Sequence, residues 1–147
     1  MKQRVLIVDD HKMFREALKY ILGGTPDIEV VAEAGDGTEA LARAGETHPD
    51  IVCMDVNMPG PNGIETTRQL LAAQPGVKVI GLSAYSGKEY VLGMLDAGAV
   101  GYVTKDEAGN ELLQAIRSVA LGQTYLCPEA AAAAAEFVPA KGSKAVF

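Results

Sequence analysis

Residues 51–60 join a short apolar run to a carboxylate and a turn, in the order Ile51-Val52-Cys53-Met54-Asp55-Val56-Asn57-Met58-Pro59-Gly60. The run is continuously apolar instead of alternating with polar residues. This pattern is typical of a strand in a parallel sheet that is covered on both faces. Pro59 and Gly60 then predict a turn. Asp55 is therefore expected to stand at the carboxyl end of a buried strand.

Four further apolar runs flank this one, at residues 5–8, 29–32, 77–82 and 101–103. The segments between the runs have a helical period, predicting helices that include residues 38–44, 64–73 and 88–96. Strand and helix thus alternate five times. Because each right-handed crossover lays its helix on one face of the sheet, the expected fold class is α/β and doubly wound. A flavodoxin-like (CheY-like) parallel sheet of five strands in the order 2-1-3-4-5, with helices on both faces, matches this count.

The length and composition predict one domain and a tail. A chain of 147 residues, 48% of them apolar, can bury one substantial core but is too short for two full domains. We expect the domain to span residues 1–124 and the tail residues 125–147. Pro128 could start a short helix through the alanines of residues 130–135. These side chains offer little apolar surface to bury. The tail is therefore expected to be either a linker or a leftover of protein expression, and to fray at its end.

Charge and hydropathy exclude several classes of function. The formal net charge is −6 and no cluster of Lys or Arg is present, which argues against this chain gripping nucleic acid by itself. No apolar stretch approaches the ~18 residues of a membrane span, and the amino terminus does not resemble a signal peptide. A cytoplasmic protein without a membrane contact is expected. Cys53 and Cys127 lack metal-ligand spacing and are assigned no role.

Polar residues follow the predicted strands at the edge where open α/β sheets bind ligands. Asp9 and Asp10 follow the first strand, and Asp55 follows the third. These two strands are neighbours in the expected sheet, at the point where the strand order reverses. Three converging carboxylates repel unless a cation joins them, and oxygen ligands suit Mg²⁺. Ser83 and Lys105, after the fourth and fifth strands, could contact phosphoryl oxygens, with Asp55 as the nucleophile. A merely structural acidic pocket remains the alternative at this point.

The combination of motifs resembles the receiver domains of two-component response regulators over about residues 5–122. The matching segments are Val8-Asp9-Asp10, residues 54–60 with Gly63, Leu82-Ser83-Ala84, and residues 98–105 ending in Lys105. Asp9-Asp10-His11, residues 14–18 and residues 122–125 are similar to the NarL/FixJ (LuxR-type) subfamily.

The resemblance implies a role for each candidate site residue. Asp10 would bind Mg²⁺ directly and Asp9 mainly through water, with Asp55 and the backbone carbonyl of Asn57 as the other protein ligands. A partner histidine kinase would supply the phosphoryl group to Asp55, while Lys105 neutralises charge. Ser83 would turn toward the new phosphoryl oxygens and Tyr102 would swing inward behind it. Asn57 and Tyr85 occupy positions that control attack by water.

The resemblance also implies an output. Members of the subfamily usually carry a carboxy-terminal helix-turn-helix domain that binds DNA, and about 25 residues after the last receiver helix are too few for one. The chain is expected to be either a receiver excised from a transcription regulator or a stand-alone receiver that acts by protein contact. It would form a homodimer, if at all, on phosphorylation. It is expected to be a switch that catalyses its own phosphorylation and dephosphorylation and not an enzyme.

Three other readings stay open. A haloacid-dehalogenase-type phosphatase also uses a nucleophilic Asp with Mg²⁺ and Lys, but it needs a second acid two residues later, where this chain has Asn57. A nucleotide-binding flavodoxin-like domain would need a phosphate-cradling loop where Asp9 and Asp10 stand. A degenerate receiver that only binds partners would typically have lost an acid or the Lys.

Overall fold

The computed structural model describes residues 2–84 and 87–135, so Tyr85 and the end of the tail, residues 136–147, lie outside the described residues. Strands and helices alternate along the described chain. They are β1 (Gln3–Val8), α1 (Lys12–Gly23), β2 (Ile28–Ala34), α2 (Gly37–Thr47), β3 (Ile51–Asp55), α3 (Gly63–Ala73), β4 (Lys78–Ser83), α4 (Lys88–Ala97), β5 (Gly101–Thr104), α5 (Ala108–Ala120), β6 (Tyr125–Leu126) and α6 (Pro128–Ala135). In these ranges no helix is long and apolar enough to cross a bilayer.

The strands form one parallel sheet in the order β2-β1-β3-β4-β5-β6. The predicted order 2-1-3-4-5 is confirmed, and a sixth strand is added at the β5 edge. This strand has only two residues, Tyr125 and Leu126, which pair with Gly101 and Tyr102. A two-residue strand carries no periodic sequence signal, so the prediction of five strands missed it.

Two apolar cores lie on opposite faces of the sheet. Side chains of α1 and α5 pack with one face of the strands, and those of α2, α3 and α4 pack with the other. The central strands β1 and β3 are therefore covered on both sides, and every residue of β3 is buried. This double coverage explains the continuous apolar runs and fixes the carboxyl ends of both strands at one edge of the molecule.

Helix α6 departs from the expectation for the tail. The predicted helix is present, but its alanines are more buried than expected: Ala130 is fully buried, and Ala133 and Ala134 are nearly so. These side chains join the core that contains Met94 and Tyr102. Small side chains let two helices approach closely, so alanines can be buried without bulk. The fraying expected at the end of the tail falls outside the described residues. The boundary at residue 124 stays a prediction, although β6 and α6 continue the packed body beyond it.

Candidate functional site

The carboxyl ends of four strands bring the predicted polar residues together. Asp9 and Asp10 directly follow β1, Asp55 ends β3, Ser83 ends β4, and Lys105 follows β5. Asp9, Asp10, His11 and Asp55 each offer one ligand atom within 4.8 Å of the others. The crossovers create this cluster, because parallel strands that are neighbours in space end at the same edge.

Asp9 is fully buried and held on every side. Its Oδ1 accepts a hydrogen bond from the backbone N–H of His11 at 2.8 Å, and its Oδ2 lies 2.6 Å from Nζ of Lys105. Its own backbone N–H donates to the carbonyl of Ala34 at 3.0 Å. Asp10 differs, since 26% of its side chain is exposed. One acid of the pair is thus fixed inside the pocket while the other faces its mouth.

Asp55 lies at the floor of the pocket with 1% of its surface exposed. Its Oδ1 accepts a hydrogen bond from the backbone N–H of Asn57 at 3.1 Å. Burial, and then the nearby Asp9 carboxylate, raise the pKa of Asp55 to about 6, while Lys105 opposes the shift. Near neutral pH the group is therefore still mostly ionised.

Gly63 makes room for this arrangement. A Cβ at this position would lie 2.1 Å from the backbone oxygen of Asp55, closer than any contact that atoms tolerate. The first residue of α3 can therefore sit against the end of β3 only as glycine. Asn62 caps the same helix by accepting the backbone N–H of Glu65 at 2.9 Å. Together these residues fix the loop that carries Asn57 over the pocket.

Lys105 supplies the positive charge of the pocket. Its Nζ lies 2.6 Å from Asp9 Oδ2 and 3.4 Å from Asp55 Oδ2, so it bridges the two buried carboxylates. The ammonium also lies 4.9 Å from the centre of the Phe14 ring, a cation–π distance. Only 17% of the side chain is exposed. The lysine thus holds a positive charge beside the Asp55 carboxylate.

The donor set fits a hard divalent cation. Within the described part of the chain, the buried Oδ2 atoms of Asp9 and Asp55 have no hydrogen-bond partner and lie at ion-pair distance from the Lys105 ammonium. One ammonium cannot neutralise three carboxylates, which leaves an excess of negative charge that a cation would offset. Carboxylate oxygens with an open, partly exposed side at Asp10 match a Mg²⁺ ion that keeps several waters. Asn57 is exposed beside them, where its backbone carbonyl could contribute.

A polar chain runs from Asn57 behind the pocket. The buried Ser83 donates its hydroxyl to Oδ1 of Asn57 at 2.8 Å. Tyr102 is fully buried and its hydroxyl interacts with Ser83; burial raises the pKa of this phenol to about 12. The ring therefore already has the inward position that the resemblance implies for the phosphorylated form. Ser83, by contrast, would have to give up Asn57 to reach a phosphoryl oxygen.

Two contacts in the site were missed from the sequence. Phe14 was assigned to the apolar stripe of α1, yet its ring also faces Lys105. Arg15 was noted only as part of a motif, yet its Nη1 donates to the backbone carbonyl of Asp9 at 2.5 Å. No side-chain pattern could have found the second contact, because its acceptor is a backbone atom.

His11 also lies at the site. Its Nδ1 lies 3.1 Å from Oδ1 of Asp9 and 3.2 Å from Oδ1 of Asp10.

A protein-family model described as the response regulator receiver domain matches residues 5–117. The transcriptional regulatory protein DegU of Brevibacillus brevis is 41% identical over 128 residues, which is 87% of this chain and 54% of that protein. The DNA-binding transcriptional activator DevR/DosR of Mycobacterium tuberculosis is 42% identical over 130 residues, or 88% and 60% of the two chains. The chain thus spans little more than half the length of these curated relatives.

Solved structures agree with the sequence comparison. A two-component response regulator of the LuxR family from Aurantimonas sp. SI85-9A1 superposes with a TM-score of 0.88 at 38% identity, covering 92% of this chain and 97% of that one. The signal receiver domain of the response regulator NarL from Mycobacterium tuberculosis gives 0.79 at 32% identity, covering 83% and 98%. Both superpositions confirm the α/β fold that is expected from the sequence.

Proposed function

The chain belongs to the response regulator receiver domains of two-component systems, and we propose that Asp55 is the residue at which it accepts a phosphoryl group from a sensor histidine kinase. The observation that carries this proposal is the buried Asp55 carboxylate, which lies beside two further acids and 3.4 Å from the Lys105 ammonium. A carboxylate in this setting can act as a nucleophile toward phosphorus. A purely structural acid would not need the two additional carboxylates beside it.

The side chains of the pocket divide the work of transfer. We assign Asp10, Asp9, Asp55 and the backbone carbonyl of Asn57 as the residues that hold Mg²⁺, with Asp9 acting mainly through water. The ion, when bound, would neutralise charge on the transferring phosphoryl oxygens. Asp55 forms the new bond to phosphorus as the bond to the donor nitrogen breaks in line with it. Lys105 stabilises the negative charge that spreads over the oxygens during this step.

Ser83 and Tyr102 are proposed to carry the signal away from Asp55. Ser83 would exchange its hydrogen bond to Asn57 for one to a phosphoryl oxygen. Tyr102 contacts Ser83 on one side and lies in the core beneath α4 and α6 on the other. A change in charge at Asp55 would in this way alter the packing of α4, β5 and α5, which form the output surface.

The output is proposed to be transcription. Relatives of which this chain covers only part include a protein named as a DNA-binding transcriptional activator. We propose that DNA is bound by a helix-turn-helix domain outside residues 1–147, that residues 125–147 link the receiver to it, and that phosphorylation promotes homodimers. The chain would work in the cytoplasm as a switch and not as an enzyme on external substrates. A stand-alone receiver acting by protein contact is the second form of this proposal.

Intact-protein mass spectrometry tests the proposal directly. The protein is incubated with acetyl phosphate and Mg²⁺, beside a metal-free sample and the variants Asp55→Asn and Asp96→Asn. Asp96 is an 81% exposed acid on α4 and serves as the matched control. We expect the mass of one phosphoryl group in the unsubstituted protein and in Asp96→Asn, and none in Asp55→Asn or without Mg²⁺.

Two other results would redirect the proposal. A folded protein that binds Mg²⁺ but gains no phosphoryl group would indicate a degenerate receiver that acts only by binding. Steady release of phosphate from a simple phosphomonoester, many times per protein molecule, would favour a haloacid-dehalogenase-type phosphatase.

A further inference from the structure

Arg15 ties the acidic turn after β1 to the end of β2. We propose that Arg15 is a positioning residue for the metal pocket: its guanidinium fixes the peptide between Asp9 and Asp10, and so sets where the Asp10 carboxylate lies. The inference rests on the proposed function, since it concerns the affinity of the same pocket for Mg²⁺.

The backbone of Asp9 is bound at both of its polar groups. Its N–H donates to the carbonyl of Ala34 at 3.0 Å, and its carbonyl accepts from Nη1 of Arg15 at 2.5 Å. The first bond belongs to the Val8–Asp9 peptide, and the second belongs to the Asp9–Asp10 peptide, which directly precedes Asp10. Asp10 is the partly exposed acid of the pair, and its side chain contacts Nδ1 of the exposed His11 at 3.2 Å and the Asp55 carboxyl. Neither contact holds its backbone, so the position of its carboxylate follows the Asp9–Asp10 peptide that Arg15 holds.

The guanidinium is itself held in place. Its Nε lies 2.8 Å from Oε1 of Glu33 on β2, and 16% of the side chain is exposed. Lys19 lies 2.5 Å from the other oxygen of Glu33. Hydrogen bonds from Lys19 and Arg15 lower the pKa of Glu33, so the carboxylate stays charged. The guanidinium lies close to the turn after β2, since a Cβ at Gly35 would contact Nη1 of Arg15 at 3.4 Å.

Positioning and simple charge predict opposite results for the loss of Arg15. If the guanidinium acted only as a nearby positive charge, its removal would strengthen the binding of Mg²⁺ to the acids. If it only linked α1 to β2, its removal would lower the stability of the fold and leave the affinity for Mg²⁺ unchanged. If it orients the Asp9–Asp10 peptide, its removal weakens Mg²⁺ binding even in a folded protein.

The experiment compares Arg15→Met, Arg15→Lys and Lys19→Met with the unsubstituted protein. Isothermal titration gives the Mg²⁺ dissociation constant at a temperature where all four proteins are folded, and thermal unfolding without metal gives their stability. Lys19→Met is the matched control, because it removes one charge and one contact with Glu33 but leaves Asp9 untouched. Arg15→Lys keeps the charge and replaces the planar fork with a single ammonium.

We expect Arg15→Met to raise the dissociation constant about tenfold. Arg15→Lys should raise it about threefold or more, because one ammonium cannot hold both Asp9 and Glu33 in the same geometry. Lys19→Met should leave it within about twofold. Unchanged or tighter binding in folded Arg15→Lys and Arg15→Met overturns this inference alone. Absence of Mg²⁺ binding in the unsubstituted protein overturns the proposed function, and the inference with it.

Discussion

The buried Asp55 carboxylate is a single residue that lowers the stability of the metal-free protein when it is ionised. Burial and the Asp9 carboxylate raise its pKa from 3.8 to about 6. Between these values the folded protein binds more protons than the unfolded chain, so its stability falls as pH rises through this window. The favourable contribution of the protonated carboxyl is complete below the lower value and lost above the upper one. Above that, an ionised buried acid strains the metal-free fold.

Asp55→Asn should therefore stabilise the metal-free protein in a pH-dependent way. The amide keeps the shape of the carboxyl and cannot ionise. We expect a gain on the order of 1–3 kcal/mol in the free energy of unfolding at about pH 8, and little change at about pH 4. Urea unfolding in the presence of a chelator measures both. A gain of equal size at the two pH values would show that ionisation of Asp55 is not the cause.

Substitutions in helix α6 test whether its buried alanines hold this element against the core. Ala130 is fully buried and Ala131 is exposed, although the two are neighbours on the same helix. Ala130→Asp would place a charge in the core with Tyr102, whereas Ala131→Asp would place it in water. We expect Ala130→Asp to release α6 from α4 and to cost up to about 3 kcal/mol, with little effect of Ala131→Asp.

The two cysteines report on that release. Cys127 joins β6 to α6, Cys53 lies inside β3, and both are buried. Burial raises the pKa of each thiol, to about 12 for Cys53, so both should react slowly in the folded protein. In Ala130→Asp, alkylation of Cys127 should become faster while Cys53 stays protected, as peptide mass spectrometry would reveal. If Cys127 reacted equally slowly in Ala130→Asp and Ala131→Asp, burial of Ala130 would not be what keeps α6 packed against α4.

The elements also show what sequence can and cannot predict. Apolar runs identify β1, β3, β4 and β5 because burial on both faces favours apolar residues along the strand. The edge strand β2 is only partly buried and carries Glu29 and Glu33, so its apolar run is shorter than the strand. The ends of those strands identify Asp9, Asp55 and Lys105 because the topology brings them to one edge. The two residues of β6 and the alanines of α6 give no such pattern, since their burial depends on neighbours distant in the chain. Arg15 is likewise invisible, because it binds a backbone carbonyl.

At the scale of the whole molecule, the pocket should couple folding to Mg²⁺. An ion that binds the folded state and not the unfolded chain stabilises the folded state, by about 2.7 kcal/mol at a concentration 100 times its dissociation constant.

Asp10→Asn removes one repelling carboxylate and one proposed metal ligand together. Its metal-free melting temperature should therefore rise by a few degrees, roughly 2–4 °C per kcal/mol, while the stabilisation by Mg²⁺ disappears. Asp96→Asn, which changes the net charge equally, should keep the full response to Mg²⁺. A lower metal-free melting temperature for Asp10→Asn would mean that its carboxylate is held by favourable contacts, and that repulsion within the pocket is not what Mg²⁺ relieves.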